Sequence, residues 1–153
     1  MLSVRPTALI GIVALGLGLG SLVLGHLILV PMLEGDLSLV DANLARALAE
    51  PLALRCAELV LAACVVLAAV AKPWLRMRAG TTLGLLASGV AAGDRFGLMP
   101  RMQAAWGRVD LVAMRPRVRV EDAAQLSMIH EATVVAILLI LLALAGLASL
   151  ERR

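Results

Sequence analysis

At 153 residues the chain is the size of one ordinary domain, yet 61% of it is hydrophobic, only 16% is charged and its mean hydropathy is +0.96. Such values exclude an ordinary water-soluble domain and place the chain in a membrane. The formal net charge of +3 would suggest a nucleic-acid surface in a soluble protein. Here most basic residues flank apolar runs, where Arg and Lys set topology. The expected partners are therefore the lipid bilayer and other membrane-protein subunits or a second copy, with no nucleic acid.

Four apolar segments follow one another: about 6–33, 51–71, 79–99 and 124–150. Each must be helical, because backbone groups in hydrocarbon have to be satisfied within their own segment. The first carries no formal charge between Arg5 and Glu34; it is about twice as long as the apolar region of a signal peptide and has no Ala-x-Ala site, so it is read as a retained span. Prolines mark the ends: Pro31 is expected to close the first helix, Pro51 to open the second, Pro73 to follow the second and Pro100 to follow the third. The fold class predicted is all-α, an integral membrane up-and-down four-helix bundle forming a single domain over 1–153.

The compact KPWLRMR stretch (Lys72 to Arg78) predicts a tight, basic turn between the second and third spans. With Arg5, Arg152 and Arg153 on the same side it favours a cytoplasmic location for both termini, in a bacterial inner membrane. The competing cluster Arg101, Arg108, Arg115, Arg117 and Arg119 is diluted by Asp110, Glu121 and Asp122.

That topology puts the intramembrane polar residues in one layer toward the outer side: His26, Arg55, Glu58, Asp94, Arg95, His130 and Glu131. Charged groups at such depth are expensive and usually turn inward and pair. Arg55 and Glu58 share a helical face at i, i+3; Arg95 can meet Asp94, Glu58 or Glu131, with Glu131 preferred. His130 is expected to face the core and Glu131, about 100° away, a neighbouring helix. Because the first and last helices of such a bundle are neighbours, His26 and His130 are candidate ligands for haem b or copper. Met32, Met99, Met102, Met114 and Met128 on the same side supply thioethers that suit reduced copper.

Other chemistry is absent from the sequence. Cys56 and Cys64 lie about 12 Å apart along one helix, too far for a disulfide, and there is no CxxC, Walker loop or nucleophile elbow. The run GLGLGSLVLG (Gly16 to Gly25) follows no strand and reads as a packing surface. Gly16 with Gly20, Gly80 with Gly84, and Gly89 with Gly93 have the four-residue spacing that lets membrane helices approach closely. Gly16, Gly20, Gly84, Gly89 and Gly93 are accordingly expected at helix contacts, either between these spans inside the bundle or with helices of another protein.

The third span ending GLMPRM (Gly97 to Met102) and the fourth opening MIHEATVV (Met128 to Val135) resemble a family of four-helix membrane proteins that includes transmembrane protein 205. The residues carrying the resemblance are Pro100, His130 and Thr133; the family's Leu before the histidine is replaced by Ile129, and His26 is an addition. The resemblance implies the four-helix architecture and brings no activity with it. With no catalytic motif and little mass outside the membrane, the chain is expected to be a non-enzymatic accessory or structural subunit of a membrane assembly, the alternative being a haem- or copper-handling protein. Cysteine labelling at Ser3 and Arg153 in intact cells is expected to find both ends on the cytoplasmic face; ends on opposite faces would remove the four-span arrangement.

Overall fold

A computed structural model describes residues 6–35, 42–109 and 116–150. The first helical rod comprises α1 (Pro6–Gly20), a widened π-helical stretch (Ser21–Leu29) and α2 (Val30–Gly35). The second is α3 (Ala42–Leu75). The third comprises α4 (Arg78–Gly93), a second π-helical stretch (Asp94–Leu98) and α5 (Met99–Trp106), and the fourth is α6 (Arg117–Leu150). Arg5, Asp110, Met114, Arg115, Arg152 and Arg153, weighed above for topology or as ligands, lie outside the described residues.

The rods run alternately up and down. Gly11 lies against Trp74, Gly18 against Ala63 and Leu141, and Gly25 against Cys56, so the first rod is antiparallel to both α3 and α6. Gly84 meets Ala68, and Trp106 meets Ser127, giving the other two antiparallel pairs. Pro6 and Leu150 therefore share one end of the bundle with the turn from α3 to α4. The protein is an all-α integral membrane four-helix bundle, and three of its helices, Pro6–Leu33, Leu44–Leu75 and Val118–Leu150, are long and apolar enough to cross a membrane. The third rod is not among them: Asp94, Arg95 and its glycines and threonines dilute its hydropathy.

Helix α3 is central, with α1 on one side and α4 on the other. Its inward stripe is small, with Ala45, Ala49, Cys56, Val60, Cys64, Leu67, Ala71 and Leu75 all buried at helical spacing. Both cysteines are free thiols. From α6 the stripe Ala123, His130, Val134, Ile137, Leu141 and Leu144 is buried against it. Leu9, Leu17, Leu24, Leu59, Leu85, Leu139 and Leu142 point outward, as lipid-facing side chains do. Several hydroxyls on the rods bond back to their own helix, Ser88 to the Gly84 carbonyl at 2.8 Å and Thr133 to that of Ile129 at 2.8 Å, which satisfies them without a partner helix.

The prolines behave differently from the sequence expectation. Pro51 and Pro73 lie inside α3, which starts nine residues before Pro51; a single missing N–H is absorbed by a long helix whose neighbours hold it in place. Pro31 and Pro100 do not end their rods either. The Val30 N–H donates to the Gly25 carbonyl and the Met99 N–H to that of Asp94, five residues back in each case. This wider turn immediately precedes each proline and relieves the crowding of its ring against the preceding turn. Between α3 and α4 the link is only Arg76 and Met77. Arg76 has φ 51° and donates its N–H to the Lys72 carbonyl at 3.0 Å, closing α3 with a left-handed residue.

The glycine expectation holds at Gly84, where an added Cβ would lie 2.7 Å from the Ala68 Cα. At Gly16, Gly20, Gly89 and Gly93 there is open space where a Cβ would stand, so these glycines make no close contact with the described residues. The close approaches on the first rod are instead Gly11, Gly18 and Gly25, seven residues apart and so repeating every two turns on the face toward α3. Gly84→Leu is expected to destabilise the bundle by about 3 kcal/mol or more, at the upper end of overpacking costs, while Gly89→Leu leaves its detergent melting temperature unchanged.

Candidate functional site

The polar residues of the rods gather toward the end of the bundle away from the chain termini. Two π-helical stretches carry His26 and the Asp94–Arg95 pair into it, and α6 supplies His130 on its buried stripe. Such local widening is frequent at functional sites because it redirects side chains that a regular turn would send elsewhere.

At the centre, His130 Nδ1 lies 2.8 Å from Asp94 Oδ1, and the two residues are only 9% and 6% exposed. The carboxylate thereby fixes the histidine ring and leaves Nε2 as its free position. The His26 ring stands edge-on to that of His130, with centroids 5.5 Å apart and the planes at 63°. The histidine pairing expected from the sequence is thus present, as is the inward orientation of His130.

The second cluster is an ion-pair chain. The Arg95 guanidinium donates to Glu58 Oε1 at 2.8 Å and that of Arg55 to Glu58 Oε2 at 2.8 Å. The side chain of Arg55 is 80% exposed and that of Arg95 only 19%, so the inner contact is the better shielded of the two. This corrects the expected Arg95–Glu131 pair: one carboxylate near the middle of α3 takes both arginines, and Glu131 is exposed.

A cavity of about 370 Å³ adjoins the histidines. His26, His130, Met99 and Met102 line one part of it, and Arg46, Glu50 and Glu131 another. Met99 is completely buried. Met32 and Met128 point outward and take no part. Beside the cavity the Arg46 guanidinium stacks 4.8 Å over the Trp106 ring, a cation–π contact. The indole N–H donates to Ser127 Oγ at 2.8 Å, and Ser127 donates to the Ala123 carbonyl at 3.2 Å.

Arg46, Glu50, Trp106 and Ser127 were not singled out as site residues from the sequence. Arg46 and Glu50 precede Pro51, where the second span was expected to begin, and Trp106 reads in isolation as an interfacial anchor. The helical spacing of Ala45, Ala49 and Cys56 is the signal that α3 starts early. Among the described residues no three His, Cys, Asp or Glu side chains come together as a metal site; a bound ion would need a ligand of another kind.

Fold and site together define the class: a small integral membrane helix bundle with a buried histidine–carboxylate layer beside a cavity. No protein-family model matches the chain, and no characterised protein or solved structure gives a significant match.

Because the Asp94–His130 contact is buried and the Arg55–Glu58 contact is not, their removal has unequal consequences. Asp94→Ala is expected to lower stability by about 3 kcal/mol, leaving His130 without its partner. Arg55→Ala and Glu131→Gln are expected to leave the melting temperature in detergent unchanged. Equal losses in all three variants would mean that burial does not govern this layer.

Proposed function

We propose that the protein is an accessory or structural subunit of a membrane assembly, in a bacterial inner membrane with both termini cytoplasmic and all four rods crossing the bilayer. The observation that carries this reading is the outward placement of Gly16, Gly20, Gly89 and Gly93, on two different rods, with open space beside each. Small residues at four-residue spacing favour close contact between helices in lipid, where packing rather than the hydrophobic effect drives association. Here that capacity is not used inside the chain. The third rod, although less apolar than the others, lies between α3 and α6 and turns its charged residues toward them, which supports a crossing. Kinship with the family that includes transmembrane protein 205 is part of the same proposal and rests on Pro100, His130 and Thr133.

A second reading, a protein that binds haem b or copper through His26 and His130, is favoured by one specific observation: the two rings adjoin at 5.5 Å. With a metal about 2.0 Å from each nitrogen, a ring centroid lies roughly 3 Å from the ion, so two imidazoles sharing one ion hold their centroids about 5 to 6 Å apart. A haem fits less well. The chain has one Phe, two Trp and no Tyr, a poor supply of walls for a porphyrin.

In-membrane cross-linking and co-purification test the first reading. Gly20→Leu and Gly93→Leu are expected to abolish co-purification of partner subunits or of a second copy while the monomer melts as before. Retention of all partners in both variants would remove the accessory reading. An absorption spectrum with metal analysis of the purified protein tests the second: no metal and no Soret band removes it.

A further inference from the structure

We infer that the cavity end of the bundle holds a single Cu(I) ion between His26, His130 and the thioether of Met99, with Asp94 positioning His130. The inference rests on the copper reading above and deepens it by naming the oxidation state and a sulfur ligand.

Three observations converge. The histidine rings have a centroid separation that one shared ion can span, and Asp94 occupies Nδ1 of His130. A histidine whose one nitrogen is held by a carboxylate presents the other to a metal in a fixed direction, with raised basicity. Next, Met99 is completely buried and lines the same cavity as both histidines. The π-helical turn explains how it comes there: its N–H bonds to the Asp94 carbonyl five residues back, so one wide turn places Met99 beneath Asp94. Met102 lines the cavity one α-helical turn further on. Soft thioether and imidazole together select reduced copper over zinc, manganese or magnesium.

Charge supplies the third observation. A carboxylate this buried needs a positive partner, and the adjacent Arg95 is already held by Glu58. A cation held on the far side of His130 is favoured by the Asp94 carboxylate behind the ring. Among the described residues lining the cavity, Glu50 and Glu131 stand against the guanidinium of Arg46, so an entering cation meets net negative charge.

The test uses the full-length protein purified in detergent under reducing conditions, titrated with Cu(I) against a chromogenic Cu(I) chelator, with Zn(II) as the comparison ion. One Cu(I) per chain is expected, with mixed nitrogen and sulfur scattering in X-ray absorption. His26→Ala and His130→Ala are expected to lose the ion. Met99→Leu, close in volume and without a hydrogen bond to lose, is expected to weaken binding and remove the sulfur signal while the apo protein melts normally. Asp94→Asn is expected to weaken binding by about 10- to 100-fold. Met128→Leu, on an outward face, leaves binding unchanged.

Binding as tight in folded Met99→Leu as in the wild type, or nitrogen-only scattering, overturns the sulfur ligand. Zn(II) held as tightly as Cu(I) overturns the soft-metal assignment while leaving a histidine metal site. Absence of any stoichiometric metal overturns this inference and the copper reading together.

Discussion

A carboxylate inside an apolar helix bundle is tolerated only when its charge and its lone pairs are both answered, and the end of this bundle is arranged around that demand at Asp94. Its partner is not the arginine beside it in sequence but His130, carried on a helix antiparallel to its own. The choice has consequences for the neighbours. Arg95 turns instead to Glu58 on α3, tying the third rod to the second. His130, held by Asp94, stands against His26 on the first rod. All four rods therefore meet in one layer through an ion pair, a buried hydrogen bond and a ring contact, whereas below that layer they meet through apolar side chains. Buried polar pairs of this sort can fix register where apolar packing alone leaves helices free to slide.

The two π-helical stretches belong to the same arrangement. Each lies where a rod enters the polar layer and ends two residues before a proline. A regular helix reaching Pro31 or Pro100 would crowd the proline ring against the preceding turn; the five-residue bonds from Val30 to Gly25 and from Met99 to Asp94 remove that conflict. They also change which side chains face inward. His26, Asp94 and Met99 all lie in or directly after these turns, so the device that lets the rods continue past a proline also gathers the chemistry at one end. Gly25 contributes on both counts. It accepts the five-residue bond and lies directly against Cys56, bringing the first rod close to α3 one residue before His26.

Much of this was legible in the sequence because membrane helices obey few rules strictly. Length and apolarity identified the first, second and fourth spans, and common depth placed His26, Asp94 and His130 in one layer. The burial of His130 follows from its spacing to Val134, Ile137, Leu141 and Leu144, a single helical stripe. What the sequence concealed was rotation. Arg95 had three acidic candidates, and deciding among them requires knowing that a π-turn begins at Asp94, which no local composition announces. The glycines left a related choice open. Gly16 with Gly20 has the spacing associated with helix contacts, yet the inward set is Gly11, Gly18 and Gly25. A four-residue spacing names a face of the helix without saying whether the helix beyond it belongs to the same chain.

That last distinction bears on what kind of protein this is. A membrane bundle with no external partner would gain nothing from leaving small residues against lipid, since lipid packs against leucine as readily as against glycine and a glycine in a helix interior costs about 1 kcal/mol relative to alanine. On α4, Gly80 and Gly84 offset that cost by close approach to Leu75 and Ala68; Gly89 and Gly93, two turns further along the same rod, do not. On the first rod the same contrast separates Gly18 from Gly16 and Gly20. The unpaired glycines therefore carry a helix-propensity cost with no return inside the chain. A helix of another subunit at those faces would restore it, and such contacts would leave the cavity-bearing layer and its histidines intact in the interior.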